Sequence, residues 1–586
     1  METAADNNNI EIVQLLSEQP TIKIRKNCFQ NCIKLTEFAI PSVLTSIEEG
    51  TFLNCSSLEH VSIPSSVTKI GAKAFKGCKS LKQIEIPSSV TIIESGAFED
   101  CSSLEQIAIP SSVNKIECGL LRRCKALKNI TLPTSLTNIK SGAFEDCSSI
   151  EEIEIPSTVE GIDSCVFKGC SSLKHISIPP SIEIIGESVF EGCKSLKEIT
   201  IPSNVKIMED SVFENCTLLE NITISSQLTS FGERSFMNCS SLKEIQIPSS
   251  VKEIEKHTFC DCSSLTKIII PSLVRSIGSA AFQGCSALKE VILSNSLEDI
   301  GSFAFNECRS LSEITFPPTV HTIQERAFQS CTSLKEIIIP YSVDKIERYA
   351  FSFCKSLTKI TIPNKEFIKY EERVFFGVES IELIGNITCI PKRLFENCTT
   401  VKKISLPSMI TKIPNNAFNN CSSLKEIKIP PSVQKIDYSA FDDCSSLVEI
   451  EIPPSVKEIG FNCFNKCSSL VKISILSSID EIPMYFATQC SSLKEINIPS
   501  SVRRIKMFAF AECSSLTHIE IPSSVIEIDN NAFAGCSSLQ QLKIPSSVKE
   551  IGNDILDGCV SLTEISIPSK FKDKIKLDSK VKVILT

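Results

Sequence analysis

The sequence is dominated by a cysteine that recurs every 23 residues. This cysteine occurs from Cys32 through Cys354 and again from Cys398 through Cys559, and with one irregular turn between the two runs the unit is repeated 24 times. A fixed period of this size is typical of solenoids, in which successive repeats stack on one another. One repeat cannot bury its apolar face alone, whereas a stack of repeats buries a continuous core.

The residues after each cysteine predict a short strand. In the second copy Leu58, Val61 and Ile63 precede Pro64, and the alternation of the last positions indicates a strand with one buried face. Because proline has no N–H to donate, strand pairing ends there. We therefore expect a strand of about five residues. The exposed side chains should be the fifth and seventh after the cysteine.

The rest of the repeat supplies further buried positions. Val67 and Ile70 predict a short extended or 3₁₀ piece, and the three-residue spacing of Phe75 and Cys78 favours one helical turn with both side chains inside. Phenylalanine fills its position in 21 of 24 copies. The exceptions are Leu121, Ala487 and Leu556. The second residue after the proline is usually polar, and such short side chains can bond buried backbone groups of the stack. Examples are Ser66, Ser112, Thr158 and Asn204.

The repeat phrase IPSSV-x-x-I-x-x-x-A-F-x-x-C-S-S-L resembles the BspA-like leucine-rich repeat of bacterial and protist surface proteins. Residues 86–104 and 521–539 match it almost letter for letter, and the resemblance covers roughly 22–568. It implies a strand-dominated leucine-rich-repeat solenoid of the α/β horseshoe type. A parallel β-sheet would form one face, with short turns and 3₁₀ or helical pieces on the other.

Five segments follow from the regularity of the repeat. We expect a polar tip and N-terminal cap at 1–21, regular repeats at 22–363, irregular repeats at 364–397, regular repeats at 398–568 and a C-terminal cap at 569–586. Solenoid ends need such caps because an open end exposes core. Lysines alternate with apolar residues in the tail, which is interpreted as a last edge strand.

Composition and charge limit the class of partner that is expected, but they do not decide the cellular location of the protein. The net charge of −9 and the lack of a basic, aromatic stripe disfavour nucleic acid. No secretory signal is recognisable and no apolar run approaches the length of a transmembrane helix, which by itself favours the cytoplasm. The family resemblance favours the cell surface instead. A protein ligand is expected in either case: a host, bacterial or matrix protein, or an intracellular partner.

The 29 cysteines have two interpretations. They form either a ladder of small buried thiols, one per turn, or a disulfide or metal array. Strict phase favours the ladder, because cysteine is among the most buried residue types. The cysteines off the 23-residue grid lack the paired spacing of a zinc site. They are Cys28, Cys118, Cys165, Cys260, Cys389 and Cys463. Neither a metal nor another cofactor is predicted.

Catalytic motifs are not recognisable. The sequence shows no Ser–His–acid set, phosphate-binding loop or HExxH motif. We therefore predict a protein that is not an enzyme.

The fifth position after the cysteine carries glutamate in three successive turns, at Glu290, Glu313 and Glu336. These residues form either an ordinary solvated face or an acidic patch for a basic partner. The seventh position, polar elsewhere, becomes apolar or β-branched in four successive turns, at Ile269, Ile292, Thr315 and Ile338. Such residues either reflect strand preference or form an exposed interaction patch. This patch with its glutamate border is the first candidate for partner binding.

A second candidate lies in the irregular repeats. Phe367, Tyr370 and Arg373 belong to an unusual aromatic and charged cluster, which is either a tolerated change of loop length or a binding feature. Two functions remain open. One is recognition or adhesion by a surface-antigen-like protein through its strand face, and the alternative is an intracellular leucine-rich-repeat scaffold.

Overall fold

The computed structural model describes residues 24–365 and 368–586. The predicted N-terminal cap at 1–21 lies outside these residues. The chain divides into two compact units, Met1–Ser296 and Leu297–Thr586. Each unit is a parallel β-solenoid in which the turns contribute short strands to two ladders. The strands that lie at the Ile-Pro pair, one from each turn, stack to form what we call the first ladder. The strands that follow Ser-Ser-Val stack to form the second ladder.

In the first unit the paired strands lie 23 residues apart, as in Glu37↔His60 of the first ladder and Ser46↔Lys69 of the second. Its first-ladder strands are Glu37–Ala39, His60–Ser62, Gln83–Ile84, Gln106–Ala108, Asn129–Thr131, Glu152–Ile153, His175–Ile176, Glu198–Thr200, Asn221–Thr223, Lys267–Ile269 and Glu290–Ile292. Its second-ladder strands are Ser46–Ile47, Lys69–Ile70, Ile92–Ile93, Lys115–Ile116, Asn138–Ile139, Gly161–Ile162, Ile184–Ile185, Ile207–Met208, Glu253–Ile254 and Ser276–Ile277.

The second unit has the same two ladders. Its first-ladder strands are Glu336–Ile338, Lys359–Thr361, Ser380–Ile384, Lys403–Ser405, Glu426–Ile427, Glu449–Ile452, Lys472–Ile475, Glu495–Ile496, His518–Glu520, Gln541–Lys543, Glu564–Ile567 and Lys582–Leu585. Its second-ladder strands are Asp299–Ile300, Thr322–Ile323, Lys345–Ile346, Lys369–Tyr370, Lys412–Ile413, Lys435–Ile436, Glu458–Ile459, Glu481–Ile482, Arg504–Ile505, Glu527–Ile528 and Glu550–Ile551. A 3₁₀ turn occupies Ser569–Phe571.

In most turns the first-ladder strand is shorter than the five residues predicted. In the second copy the strand is only His60–Ser62. The Leu58 N–H donates to the carbonyl of Cys55 at 3.1 Å and so closes a turn before the strand, and the Val67 N–H closes another turn with Pro64 at 3.1 Å. These two turns bound the five residues 59–63, of which only His60–Ser62 pair as a strand.

The predicted helical side of the repeat is a ladder of turns instead. Phe75 and Cys78 are both buried as expected, and the Cys78 N–H donates to the Phe75 carbonyl at 3.2 Å. Among the described residues, however, the only helix of any kind is the 3₁₀ turn at Ser569–Phe571. The helical face implied by the horseshoe resemblance is therefore not present in the described turns.

Left-handed backbone explains why no helix forms there. The residues five and one before each cysteine have positive φ, for example Lys73 at 55° and Gly77 at 76°. A right-handed helix needs consecutive right-handed residues, so two left-handed residues only four positions apart prevent one from forming between them. The N–H groups turn toward the following repeat instead. Lys73 donates to the Ser95 carbonyl at 3.0 Å and Gly77 donates to that of Glu99 at 2.8 Å.

The core consists of matched columns of phenylalanine and cysteine. Phe213 stacks between Phe190 and Phe236, with ring centroids 5.4 and 5.6 Å apart. Most grid cysteines add a polar contact to this apolar column. The Cys78 thiol, for example, donates to the Phe52 carbonyl of the preceding turn at 3.3 Å. This repeated bond explains the strict phase of cysteine and confirms the predicted ladder of buried thiols.

One exception in the phenylalanine column is compensated by its neighbour. Ala487 occupies the phenylalanine position, and the preceding residue, Phe486, is buried beside it. The Phe486 ring lies edge-on to Phe464 with centroids 5.4 Å apart and also contacts Phe510 at 6.1 Å. The exchange of the usual Ala-Phe order for Phe-Ala therefore retains the volume of the core.

The polar position after the proline behaves as predicted. Its side chain donates to a backbone carbonyl of the preceding turn, as Ser66 does to Leu44 at 2.7 Å and Asn204 does to Pro180 at 2.8 Å. Ser112 and Thr158 make equivalent bonds. These bonds satisfy carbonyl groups that the short strands leave unpaired.

One longer strand accommodates the irregular length of its repeat. Ser380–Ile384 has five residues and pairs in two places: Glu382 lies opposite Lys359, whereas Ser380 lies opposite Lys403. The repeat therefore changes phase by two residues within this strand. Because side chains alternate with a period of two, an even change keeps buried residues on the buried side.

The tail adds the predicted last strand. Lys582–Leu585 pairs in parallel with Glu564–Ile567, and Lys582 forms an ion pair with Glu564 at 2.9 Å.

Candidate interaction surface

The first ladder presents two exposed columns, as the repeat predicts. In the strand Lys267–Ile269 the outer residues are exposed and Ile268 is buried. The same alternation occurs in Glu290–Ile292 and Glu336–Ile338. The exposed residues are the fifth and seventh after the cysteine. This confirms which side chains a partner can reach on the strand face.

In the first unit two members of the predicted apolar patch are neighbours. Ile269 lies opposite Ile292 in the parallel register, and their side chains are 52% and 44% exposed. Beside them, the Lys267 ammonium lies 2.9 Å from the Glu290 carboxylate. Glu290 is therefore neutralised by its neighbour, which favours an apolar patch with a mixed-charge border over a purely acidic one.

The remaining members belong to the second unit. Ile338 is 60% exposed, and it lies opposite Thr361, while Glu336 lies opposite Lys359. Glu313 and Thr315 are exposed but lie outside any strand. The predicted set thus consists of an apolar pair in the first unit and a more polar group in the second unit.

The second candidate cluster does not form as predicted. Phe367 lies outside the described residues. Tyr370 is only 3% exposed, because it occupies the buried second-ladder position opposite Ile346. Burial raises its pKa, and its hydroxyl has no hydrogen-bond partner among the described residues. Tyr370 is therefore a core residue and cannot contact a partner.

Arg373 of the same cluster is exposed. Its Nη1 donates to the Tyr349 hydroxyl at 2.9 Å, and its guanidinium lies over the Tyr349 ring at 6.0 Å from the centroid. It therefore belongs to the turn side of the repeat, where it packs on an aromatic residue.

A polar groove on the strand face of the first unit was not predicted. It has a volume of about 940 Å³. Its exposed lining residues are Lys128, Asn129, Thr131, Glu152, Glu154, His175, Ser177, Glu198, Thr200, Asn221 and Thr223. The two exposed positions carry no lysine or arginine in ten successive turns, from Glu37 and Ala39 to Glu244 and Gln246. Because the groove occupies only five of these turns, the sequence contains no specific signal for it.

The buried thiols are poorly suited to chemistry. Burial raises the pKa of the Cys78 and Cys398 thiols to about 12, so the thiolate that reacts or binds metal is disfavoured at neutral pH. Across 24–365 and 368–586, no three His, Cys, Asp or Glu side chains are grouped closely enough to hold a metal ion. In the same ranges no helix has the length and apolar character needed to span a membrane.

Comparison with known proteins identifies the family. A model of the BspA type leucine rich repeat region matches residues 22–151, 137–266, 252–382, 375–493 and 480–577. The chain therefore belongs to the BspA-type leucine-rich-repeat proteins. A search of curated proteins found no significant match.

Several solved structures resemble the chain. A leucine rich cell surface protein of Faecalibacterium prausnitzii is 27% identical, with 65% of this chain and 81% of that chain covered and a TM-score of 0.30. A leucine-rich repeat protein of Bacteroides ovatus is 21% identical, with coverages of 89% and 88% and a TM-score of 0.29. One from Eubacterium ventriosum is 20% identical, with coverages of 56% and 86% and a TM-score of 0.32.

Proposed function

We propose that this protein is a non-enzymatic recognition protein that binds another protein through the exposed face of its first-ladder strands. The observation that carries the proposal is the adjacent pair Ile269 and Ile292, each about half exposed at a column that is polar in most turns. Apolar side chains grouped on a surface often mark interaction sites. Covering each isoleucine would contribute on the order of 1 kcal/mol or more.

The border of the pair supports a protein as the partner. Lys267 and Glu290 flank the isoleucines as a solvent-exposed ion pair, which matches the apolar centre and polar rim of protein interfaces. Ile338 with Glu336 gives the second unit a smaller surface of the same chemistry. We propose it as a further contact.

Site-specific photo-crosslinking tests the proposal. A benzoylphenylalanine introduced at Ile292 should crosslink one protein species in extracts and at the surface of the source cells. The matched control is Ile184, which is 49% exposed in the same unit but lies in the second ladder. Crosslinks that are equally frequent at both positions would refute recognition through the strand face.

We further propose adhesion at a cell surface, with a host, bacterial or matrix protein as partner, because the family resemblance is to surface proteins. Antibody labelling of intact, unpermeabilised source cells distinguishes this role from the intracellular scaffold. Surface labelling supports adhesion. Labelling only after permeabilisation refutes adhesion and leaves the scaffold.

A further inference from the structure

The turn side of the second unit carries a column of aromatic and arginine side chains. These residues occupy the left-handed position five before the cysteine, here called the turn column. Phe303, Arg326 and Tyr349 fill it in three successive turns. The guanidinium of Arg326 lies 5.2 Å from the Phe303 ring centroid and 5.3 Å from that of Tyr349. A ring in this column therefore holds a guanidinium supplied by the next turn, through a cation–π contact.

The same column contains a second aromatic pair without an arginine. The rings of Tyr485 and Phe508 stack with centroids 5.1 Å apart and planes 5° from parallel. Tyr485 covers one face of Phe508, so the opposite face is directed toward the following turn. That turn carries Asn531 in the turn column. Phe508 therefore has no arginine in the following turn, whereas Phe303 has Arg326 there.

Small residues leave a hollow beside the Tyr485 and Phe508 rings. Ala534 and Gly535 precede the cysteine of the following turn, and together with Ala511 they line a cavity of about 540 Å³. In several other turns the position two before the cysteine holds a long side chain that bridges to the next turn, as Lys76 does to Glu99 at 2.8 Å. The hollow therefore results from alanine two before the cysteine in two successive turns, at Ala511 in the turn of Phe508 and at Ala534 in the following turn.

The charges around the hollow have one sign. Glu512 and Asp557 line it, and neither forms an ion pair with another described residue. Glu512 accepts a hydrogen bond from the Gln489 amide at 3.1 Å, which holds the carboxylate at the edge of the hollow. No lysine, arginine or histidine lines the cavity. An aromatic face with two carboxylates is complementary to an organic cation.

We propose that this hollow binds the guanidinium of an arginine side chain on a partner polypeptide. The guanidinium would stack on the outer face of Phe508 and donate hydrogen bonds to Glu512 and Asp557. Arginine fits better than lysine because its planar group stacks on a ring while its N–H groups bond carboxylates in the plane. The site lies on the turn side of the repeat and is independent of the strand face.

Fluorescence anisotropy with labelled peptides tests the proposal on the full-length chain. The probes are fluorescein-labelled (Gly-Ser-Arg)₃ and its lysine and glutamine counterparts, with maltoheptaose as a neutral competitor. The arginine peptide should bind about tenfold more tightly than the lysine peptide. Phe508→Asn should weaken binding about tenfold. Asparagine is native to the turn column at Asn416 and Asn531, so this change suits the left-handed backbone.

Two further variants make the test specific. Glu512→Gln with Asp557→Asn removes the charges and should reduce binding by at least about tenfold. Asn531→Arg places an arginine beside Phe508 as Arg326 stands beside Phe303, and it should block the site. Asn416→Arg is the matched control, because it adds the same side chain to the turn column five turns earlier and should leave binding unchanged.

Three results would overturn the proposal. Equal binding of the arginine peptide by every variant would show attraction to the acidic chain in general. Equal binding of the lysine or glutamine peptide would exclude recognition of a stacked guanidinium. Displacement of the arginine peptide by maltoheptaose would assign the hollow to a sugar instead.

Discussion

Replacement of Phe213 is the perturbation that tests the packing of the repeat most severely. Its ring is fully buried and stacks on Phe190 and Phe236 at 5.4 and 5.6 Å. Phe213→Ala removes the ring and leaves a cavity, which in protein cores destabilises by about 3–5 kcal/mol. Phe213→Leu keeps most of the apolar volume but loses two stacked contacts, which together contribute about 1–3 kcal/mol. Leucine is native to this column at Leu121 and Leu556.

Urea denaturation followed by circular dichroism measures the free energy of unfolding, and hydrogen exchange with mass spectrometry locates the change. Since each repeat contacts only its neighbours, lost protection should centre on the turns that contain residues 190, 213 and 236. The exposed substitution Ile184→Ala is the control and should change stability by less than about 0.5 kcal/mol. A Phe213→Ala loss below about 1 kcal/mol, or equal losses for alanine and leucine, would refute the proposed role of the stacked column.

Three other predictions concern single repeated features. Ser66→Ala removes the 2.7 Å bond to the Leu44 carbonyl and should lower the free energy of unfolding by about 1 kcal/mol in urea titrations; no change would contradict the role of the polar position. In the native protein at pH 8, N-ethylmaleimide should modify the exposed Cys118. It should spare Cys78, because burial raises the pKa of that thiol to about 12. Equal labelling of the two cysteines in peptide mass spectra would show that the core opens. The ammonium of Lys69 donates to Glu94 and, with the Ala72 N–H, lowers the pKa of Glu94. A carboxylate whose pKa is lowered in the folded state stabilises the protein above its unfolded pKa, and this stabilisation is lost as the pH falls. Glu94→Gln should therefore reduce the free energy of unfolding at pH 7 and make that free energy fall less steeply below pH 4.5 than in the native protein, whereas parallel pH profiles of the two proteins would contradict this.

Which side chains are buried follows directly from the 23-residue period of the sequence. The phases of Phe75, Cys78 and Val67 indicate which positions are inside, because one ladder position recurs in every turn and must bury the same kind of side chain. The strand alternation likewise identifies Ile269 and Ile292 as exposed. Pairing of the last strand, Lys582–Leu585, follows from its alternating pattern.

The backbone of the turn side was not predictable in the same way. Its left-handed positions carry residues as different as Lys73, Gly77 and Tyr349, so glycine does not mark them. A three-residue spacing of buried side chains is shared by a helix and by successive closed turns, and only the hydrogen bonds distinguish the two.

The candidate surfaces show a second limit of periodicity. Tyr370 was predicted to be a binding residue because it belongs to an aromatic and charged cluster in the irregular repeats, but the extra residue in that turn moves it into the buried second-ladder position. The hollow beyond Phe508 depends on small residues in one turn and a ring in the preceding turn. Such complementarity between turns is visible only when the stacking register is known.

The affinity of the crosslinked partner for a strand-face variant tests the central claim most directly. Ile269→Glu with Ile292→Glu would be compared with Ile184→Glu, an exposed second-ladder control, by biolayer interferometry after circular dichroism has confirmed the fold. We predict at least about a tenfold loss of affinity for the double variant and none for the control, because two apolar contacts of on the order of 1 kcal/mol each are replaced by charges. Unchanged affinity of a folded double variant would contradict recognition through the first-ladder face.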